Sequence, residues 1–119
     1  MWLNLPHTFK YLEYLKNWRK AVEAVVKAVE DLGLDAEVYV VGGAAEGRLT
    51  ILSDVDVLVC VKKEGEDLRE LRKRILVKAM DKYGLPWDYP VEIHVHPVKE
   101  CLEIIRYSKN LKLRKISEL

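Results

Sequence analysis

The chain has 119 residues, half of them hydrophobic and a third charged, with a formal net charge of +1. That length suits one domain with one modest core. The near-neutral charge excludes an overall electrostatic footprint for nucleic acid, and no apolar run approaches the roughly 20 residues of a membrane span.

The opening residues, MWLNLPHTFK, lack a charged start followed by a long apolar segment, so no secretion signal is expected. A first helix is expected over about 8–31. Thr8 can cap it and Gly33 can end it in a left-handed conformation. Leu15, Trp18, Val22, Val25, Val29 and Leu32 recur at spacings of three and four, which makes one apolar stripe. Tyr11 and Tyr14 add aromatic surface near its start, available to a partner.

A strand over about 37–41 follows and stops at Gly42-Gly43. A loop comes next, with a short helix expected just after Gly43. A second strand is expected over 54–61. Val55, Val57, Val59 and Val61 share one of its faces, and Asp54, Asp56, Leu58 and Cys60 share the other. The valine face is core. The second face is polar only where the strand begins.

A charged turn over 62–66 leads into a helix over about 67–83, with Leu68, Leu71, Ile75, Ala79 and Met80 as its buried stripe. Gly84 ends it, and Pro86 prevents continuation. A third strand over about 91–96 alternates cleanly. Val91, Ile93 and Val95 lie on one side, and Glu92, His94 and His96 on the other. A short helix is expected over about 99–107. Leu111 and Leu113 alternate with Lys112 and Arg114, which suits a brief edge strand or a docking tail. The stretch 106–115 holds five basic residues and no acid. It suits RNA phosphates or an acidic partner, although a solvated tail is the plainer reading.

This order describes a small α/β (α+β) sandwich, a mixed sheet packed on helices, over a single domain 1–119. Cys60 falls in a strand and Cys101 in a helix. They are expected as buried, reduced thiols in the cytoplasm rather than as a disulfide scaffold. Gln is absent, Asn is scarce, and Lys and Glu are abundant, a mix that leans toward a thermophilic source.

The chemistry is expected where the second strand begins. Residues i and i+2 of a strand lie roughly 7 Å apart on one face. Asp54 and Asp56 would therefore project together, and paired carboxylates repel unless a cation or a shared proton relieves them. If the second and third strands are neighbours, Glu92 joins them. Three carboxylates on an open sheet face form a hard-oxygen site for Mg²⁺ or Mn²⁺. The Gly42-Gly43 turn lets backbone N–H groups approach phosphates without side-chain obstruction. A structural turn is the commoner use of such a pair. His94 and His96 share the face of Glu92, so a His-x-His metal pair is geometrically allowed. The plainer reading is a polar strand face with imidazoles behind the metal ligands or facing solvent. One of them suits a proton acceptor near pH 7.

Gly42-Gly43, ten residues, and then Asp54-Val55-Asp56 at a strand start resembles the signature of the DNA polymerase β-like nucleotidyltransferase superfamily. More narrowly, the chain resembles a minimal nucleotidyltransferase, over the motif region 38–96. Ser53 before the first Asp, the flanking apolar runs and a later strand acid agree with it. The resemblance implies a polymerase β palm-like fold and Mg²⁺-dependent (or Mn²⁺-dependent) transfer of a nucleoside monophosphate, AMP from ATP, to a hydroxyl acceptor. It implies that Gly42, Gly43, Ser53 and Arg48 hold the triphosphate. Asp54 and Asp56 would hold metal, and Glu92 would complete the site and help to activate the acceptor. It also implies a partner that supplies a missing wall, either a helical HEPN protein with this chain as antitoxin or a second copy. No membrane is implied, and nucleic acid is not the favoured partner. Four positions depart from the common pattern. Gly43 stands where a serine is frequent, Ala44 and Glu46 where arginines are frequent, and Glu92 where Asp is more usual. These departures keep a rival open, a non-catalytic module that neutralises or scaffolds another protein.

Overall fold

The computed structural model describes residues 13–14, 16–47, 54–62, 65 and 67–107, and the backbone of 110–114. Thr8, Tyr11, Leu15, Arg48 and Ser53 lie outside the described residues. Among the described residues, seven elements follow in order: α1 (Trp18–Asp31), β1 (Ala36–Val41), β2 (Val55–Val61), α2 (Leu68–Tyr83), β3 (Val91–Pro97), α3 (Val98–Tyr107) and β4 (Asn110–Arg114).

The strands form one four-stranded sheet in the order β3-β2-β1-β4. β1 runs antiparallel to both β2 and β4, whereas β2 and β3 are parallel. A parallel pair needs a crossover too long for a hairpin, and α2 supplies it. The sequence left the tail between two forms, and the edge strand is the one observed.

The period-two pattern of the strands sets the layers. Val55, Val57 and Val59 are fully buried, and with Val38, Val40, Ile93 and Val95 they face α1 and α2. From the helices come Val22, Val25, Ala28 and Val29 of α1 and Leu71, Ile75 and Ala79 of α2. Each fully buried valine is worth about 1.5–3 kcal/mol relative to exposure, so this side dominates the stability of the fold.

The helix ends carry their own signals. α1 closes in a Schellman motif: Gly33 N–H donates to the Glu30 carbonyl and Leu34 N–H to the Val29 carbonyl. Gly33 takes φ +67° to allow it. Asp67 caps α2 by accepting from the Glu70 N–H at 3.2 Å. At the far end of α2, Asp31 accepts from Lys82 at 2.8 Å and from the Tyr83 hydroxyl at 3.0 Å, joining the two helices. These two bonds, that of Lys82 first, hold the Asp31 carboxyl below its ordinary range.

Three expectations need correction. The first helix is not continuous from its expected start, because Asn17 is a turn residue and N-caps α1. Its N–H donates back to Glu13 and Tyr14, closing one helical turn before α1 opens. Tyr14 is not free aromatic surface. Its hydroxyl donates to Asp88 at 3.0 Å, its ring lies 4.9 Å from that of Tyr89, and its carbonyl accepts from the Tyr89 hydroxyl. The cysteines are buried as expected but not reduced: Cys60 and Cys101 form a disulfide. The reason is α3, which folds back over the second sheet face and brings the two Cα atoms to 5.9 Å.

That face is therefore not open along its length. Tyr39, Leu58, Cys60 and Cys101 make a second, smaller core, flanked by Val41, Val98, Ile104 and Ile105. α3 covers β2 at Leu58 and Cys60. The beginning of the strand, where Asp56 stands, remains accessible.

Candidate active site

Register brings the acids together. Val55 pairs with Val91, and Asp56 with Glu92, in the parallel β2–β3 ladder. Opposed residues in neighbouring strands point to the same face. Since Val55, Val57 and Ile93 are committed to the core, Asp56 and Glu92 must both turn to the other side. The valine pattern thus fixes the face of both acids, because a one-residue slip of either strand would bury its acid.

His94 completes the group. Its Nε2 lies 3.3 Å from Oδ1 of Asp56 and 3.9 Å from Oε1 of Glu92. One ligand atom from each of Asp56, Glu92 and His94 falls within 4.8 Å of the others. Asp56 and His94 are about one-third exposed and Glu92 about half, so the group forms an open shelf. Asp54 is exposed immediately before β2 and is not a member of this cluster. His96 turns to α3 instead, with Nδ1 at 3.0 Å from Oε2 of Glu100.

Gly42 closes the shelf from the β1 side. Val41 pairs with Asp56, and Gly42 follows at φ +73°. A Cβ at Gly42 would stand 3.1 Å from Oδ2 of Asp56. Glycine is needed there both for the left-handed backbone and for the room. Gly43 has no positive φ and is half-buried. The short helix expected after it does not form within 42–47. That stretch is a run of turns, in which Glu46 N–H donates to Gly42 and Gly47 N–H to Ala44.

The residues 22–116 match the sequence pattern of the nucleotidyltransferase domain. The chain belongs to that family. A crystal structure from Sulfolobus solfataricus, provisionally named a nucleotidyltransferase, has the same fold. It superposes with a TM-score of 0.62 at 19% identity, over 91% of this chain and 89% of that one. No curated protein matches the chain.

The side chains of this nucleotidyltransferase domain fit a divalent cation. Two carboxylates and an imidazole converge without an intervening apolar group, beside a glycine that leaves room at Asp56. Neighbouring ligand atoms around a cation held at about 2.1 Å lie about 3.0–3.4 Å apart. The 3.3 Å between His94 and Asp56 is of that size. The sequence placed Asp56 and Glu92 on one face if their strands were neighbours, and the structure brings these two together and adds His94. The signal available for it was alternation, since His94 shares a face with Glu92.

Two grooves, of about 430 and 460 Å³, lie on the helical side of the sheet. Tyr14, Lys20, Tyr83 and Tyr89 line the first, and Arg74, Val77 and Lys78 the second. Neither touches the acids.

Proposed function

We propose that this domain transfers a nucleoside monophosphate, AMP from ATP, to a hydroxyl group. The observation that carries this reading is the pairing of Asp56 with Glu92 beside Gly42, in a chain of the nucleotidyltransferase family. In the reaction the acceptor oxygen bonds to the α-phosphorus, the bond from that phosphorus to the pyrophosphate oxygen breaks, and the hydroxyl proton leaves. Asp56 would hold a divalent cation, Mg²⁺ or Mn²⁺, and Asp54, exposed just before β2, would join it. When bound, the cation neutralises phosphate charge. Glu92 shares that cation or receives the acceptor's proton. Gly42, Gly43, Ser53 and Arg48 seat the triphosphate.

The shelf is too open to grip a base and an acceptor by itself. This supports a second protein as its missing wall. In our reading that protein is a helical HEPN partner, with this chain as its antitoxin and a partner tyrosine as the acceptor, or else a second copy of the chain. The module comprises the whole of 1–119. The cytoplasmic setting is retained, because intracellular disulfides persist in proteins of hyperthermophiles. Among the described residues, no helix is long and apolar enough to cross a membrane.

One observation favours a different reading, a binding module without turnover. Next to the glycine turn stand Ala44, buried, and Glu46, exposed, where a triphosphate would call for cations. Incubation with labelled ATP, Mg²⁺ or Mn²⁺ and candidate acceptors decides between the two. Transfer that disappears in Asp54→Ala and Asp56→Ala is the expected result. Partner binding that survives both changes, with no transfer under any condition, would replace the enzyme by the module.

A further inference from the structure

We infer that His94 is a direct ligand of the cation, and that this shelf accordingly prefers a first-row transition dication such as Mn²⁺ to Mg²⁺. The inference rests on the proposed active site and specifies its metal. Three observations carry it. Nε2 of His94 lies closer to Oδ1 of Asp56, at 3.3 Å, than to Oε1 of Glu92, at 3.9 Å. The separations of 3.3 and 3.9 Å both lie under the roughly 4.2 Å that two donors held at about 2.1 Å can span across one ion. Asp54, the other proposed ligand, stands outside the cluster, so the imidazole is the third donor already gathered there.

Chemistry then selects the ion. Magnesium demands oxygen ligands and near-ideal octahedral geometry, and it sheds water reluctantly. Imidazole suits the transition metals, and Mn²⁺ accepts both carboxylate and imidazole. A mixed set of two carboxylates and one imidazole therefore weakens Mg²⁺ relative to Mn²⁺. His94 reaches this position because Leu58, its register partner, is buried while Asp56, two residues earlier on the same face, is not. The ring lies back over the carboxylate rather than over the small core.

The test is pulsed electron paramagnetic resonance of Mn²⁺ bound to the full chain in the presence of a non-hydrolysable ATP analogue. A directly bound imidazole nitrogen modulates the electron spin echo. The modulation should be present in the wild type, lost in His94→Ala and retained in His96→Ala, whose ring is turned to Glu100. By titration calorimetry, His94→Ala should weaken Mn²⁺ by about tenfold or more and Mg²⁺ by much less, on the scale known for altered metal shells. Bound Mn²⁺ without nitrogen modulation in the wild type would overturn the ligand assignment and leave the nucleotidyltransferase reading intact. Modulation that persists in His94→Ala would do the same. No Mn²⁺ uptake at all, with transfer still supported by Mg²⁺, would overturn the preference while sparing the activity. Neither metal uptake nor transfer would overturn both readings.

Discussion

Gly42 and Asp56 meet with no room to spare: a Cβ on the glycine would stand 3.1 Å from Oδ2 of the carboxylate. The contact ties the glycine turn to the acid pair, two features far apart in sequence. Gly42→Ala must therefore strain the backbone at φ +73° and displace the Asp56 carboxylate. A left-handed non-glycine residue costs about 1–2 kcal/mol. We expect an unfolding free energy lowered by that amount and nucleotidyl transfer reduced by more than the loss of folded protein explains. Gly43→Ala, with no positive φ to strain, should be milder in both assays.

Glu92 is exposed by about half and takes no part in the core, so its replacement separates chemistry from stability. Glu92→Gln should lower the transfer rate by about 10²-fold or more, the scale of losing one group that acts on developing charge. Glu92→Asp should retain measurable transfer, since the register holds its backbone opposite Asp56. Both variants should unfold within about 0.5 kcal/mol of the wild type, as surface substitutions do. Rate measurements with matched denaturant curves check the pair.

The Cys60–Cys101 bond closes a loop across a sequence separation of 41. Crosslinks of that reach stabilise by about 2–4 kcal/mol, chiefly by restricting the unfolded chain. Reduction, or Cys101→Ala, should lower the urea midpoint accordingly and leave α1 and α2 packed on the valine face. Mass spectrometry of the alkylated, unreduced protein should show no labelled cysteine.

Tyr89 gives the fold an alkaline limit. Burial pushes its hydroxyl up to about 12, with a smaller contribution from Tyr14. The unfolded chain ionises this group near 10. Its contribution is thus complete below pH 10 and is lost as pH rises toward 12, because the unfolded state releases the proton first. Stability measured from pH 9 to 12 should fall, and Tyr89→Phe should flatten that part of the decline.

The sequence made the strands and long helices legible because their periodicities are strong. The valines of β2 leave one register open to β3, and that register sets Asp56 opposite Glu92. What escaped depends on contacts distant in sequence. The interruption at Asn17 sits where Tyr14 is drawn to Asp88 and Tyr89, more than seventy residues away. The disulfide requires α3 to fold over Cys60, which strand alternation cannot show. His94 was legible as a residue of the right face. Its proximity to Asp56 rather than to solvent is decided by the diagonal between neighbouring strands.

The crossover through α2 also governs when the site comes into being. Asp56 and Glu92 stand on strands joined through that helix, so their pairing is a contact of long sequence separation. Long-range parallel pairing is slow to form. The two carboxylates are therefore brought together by one of the slower pairings of the fold. A molecule in which β2 and β3 have not paired lacks the shelf, so occupancy by the ion would report on the integrity of that ladder.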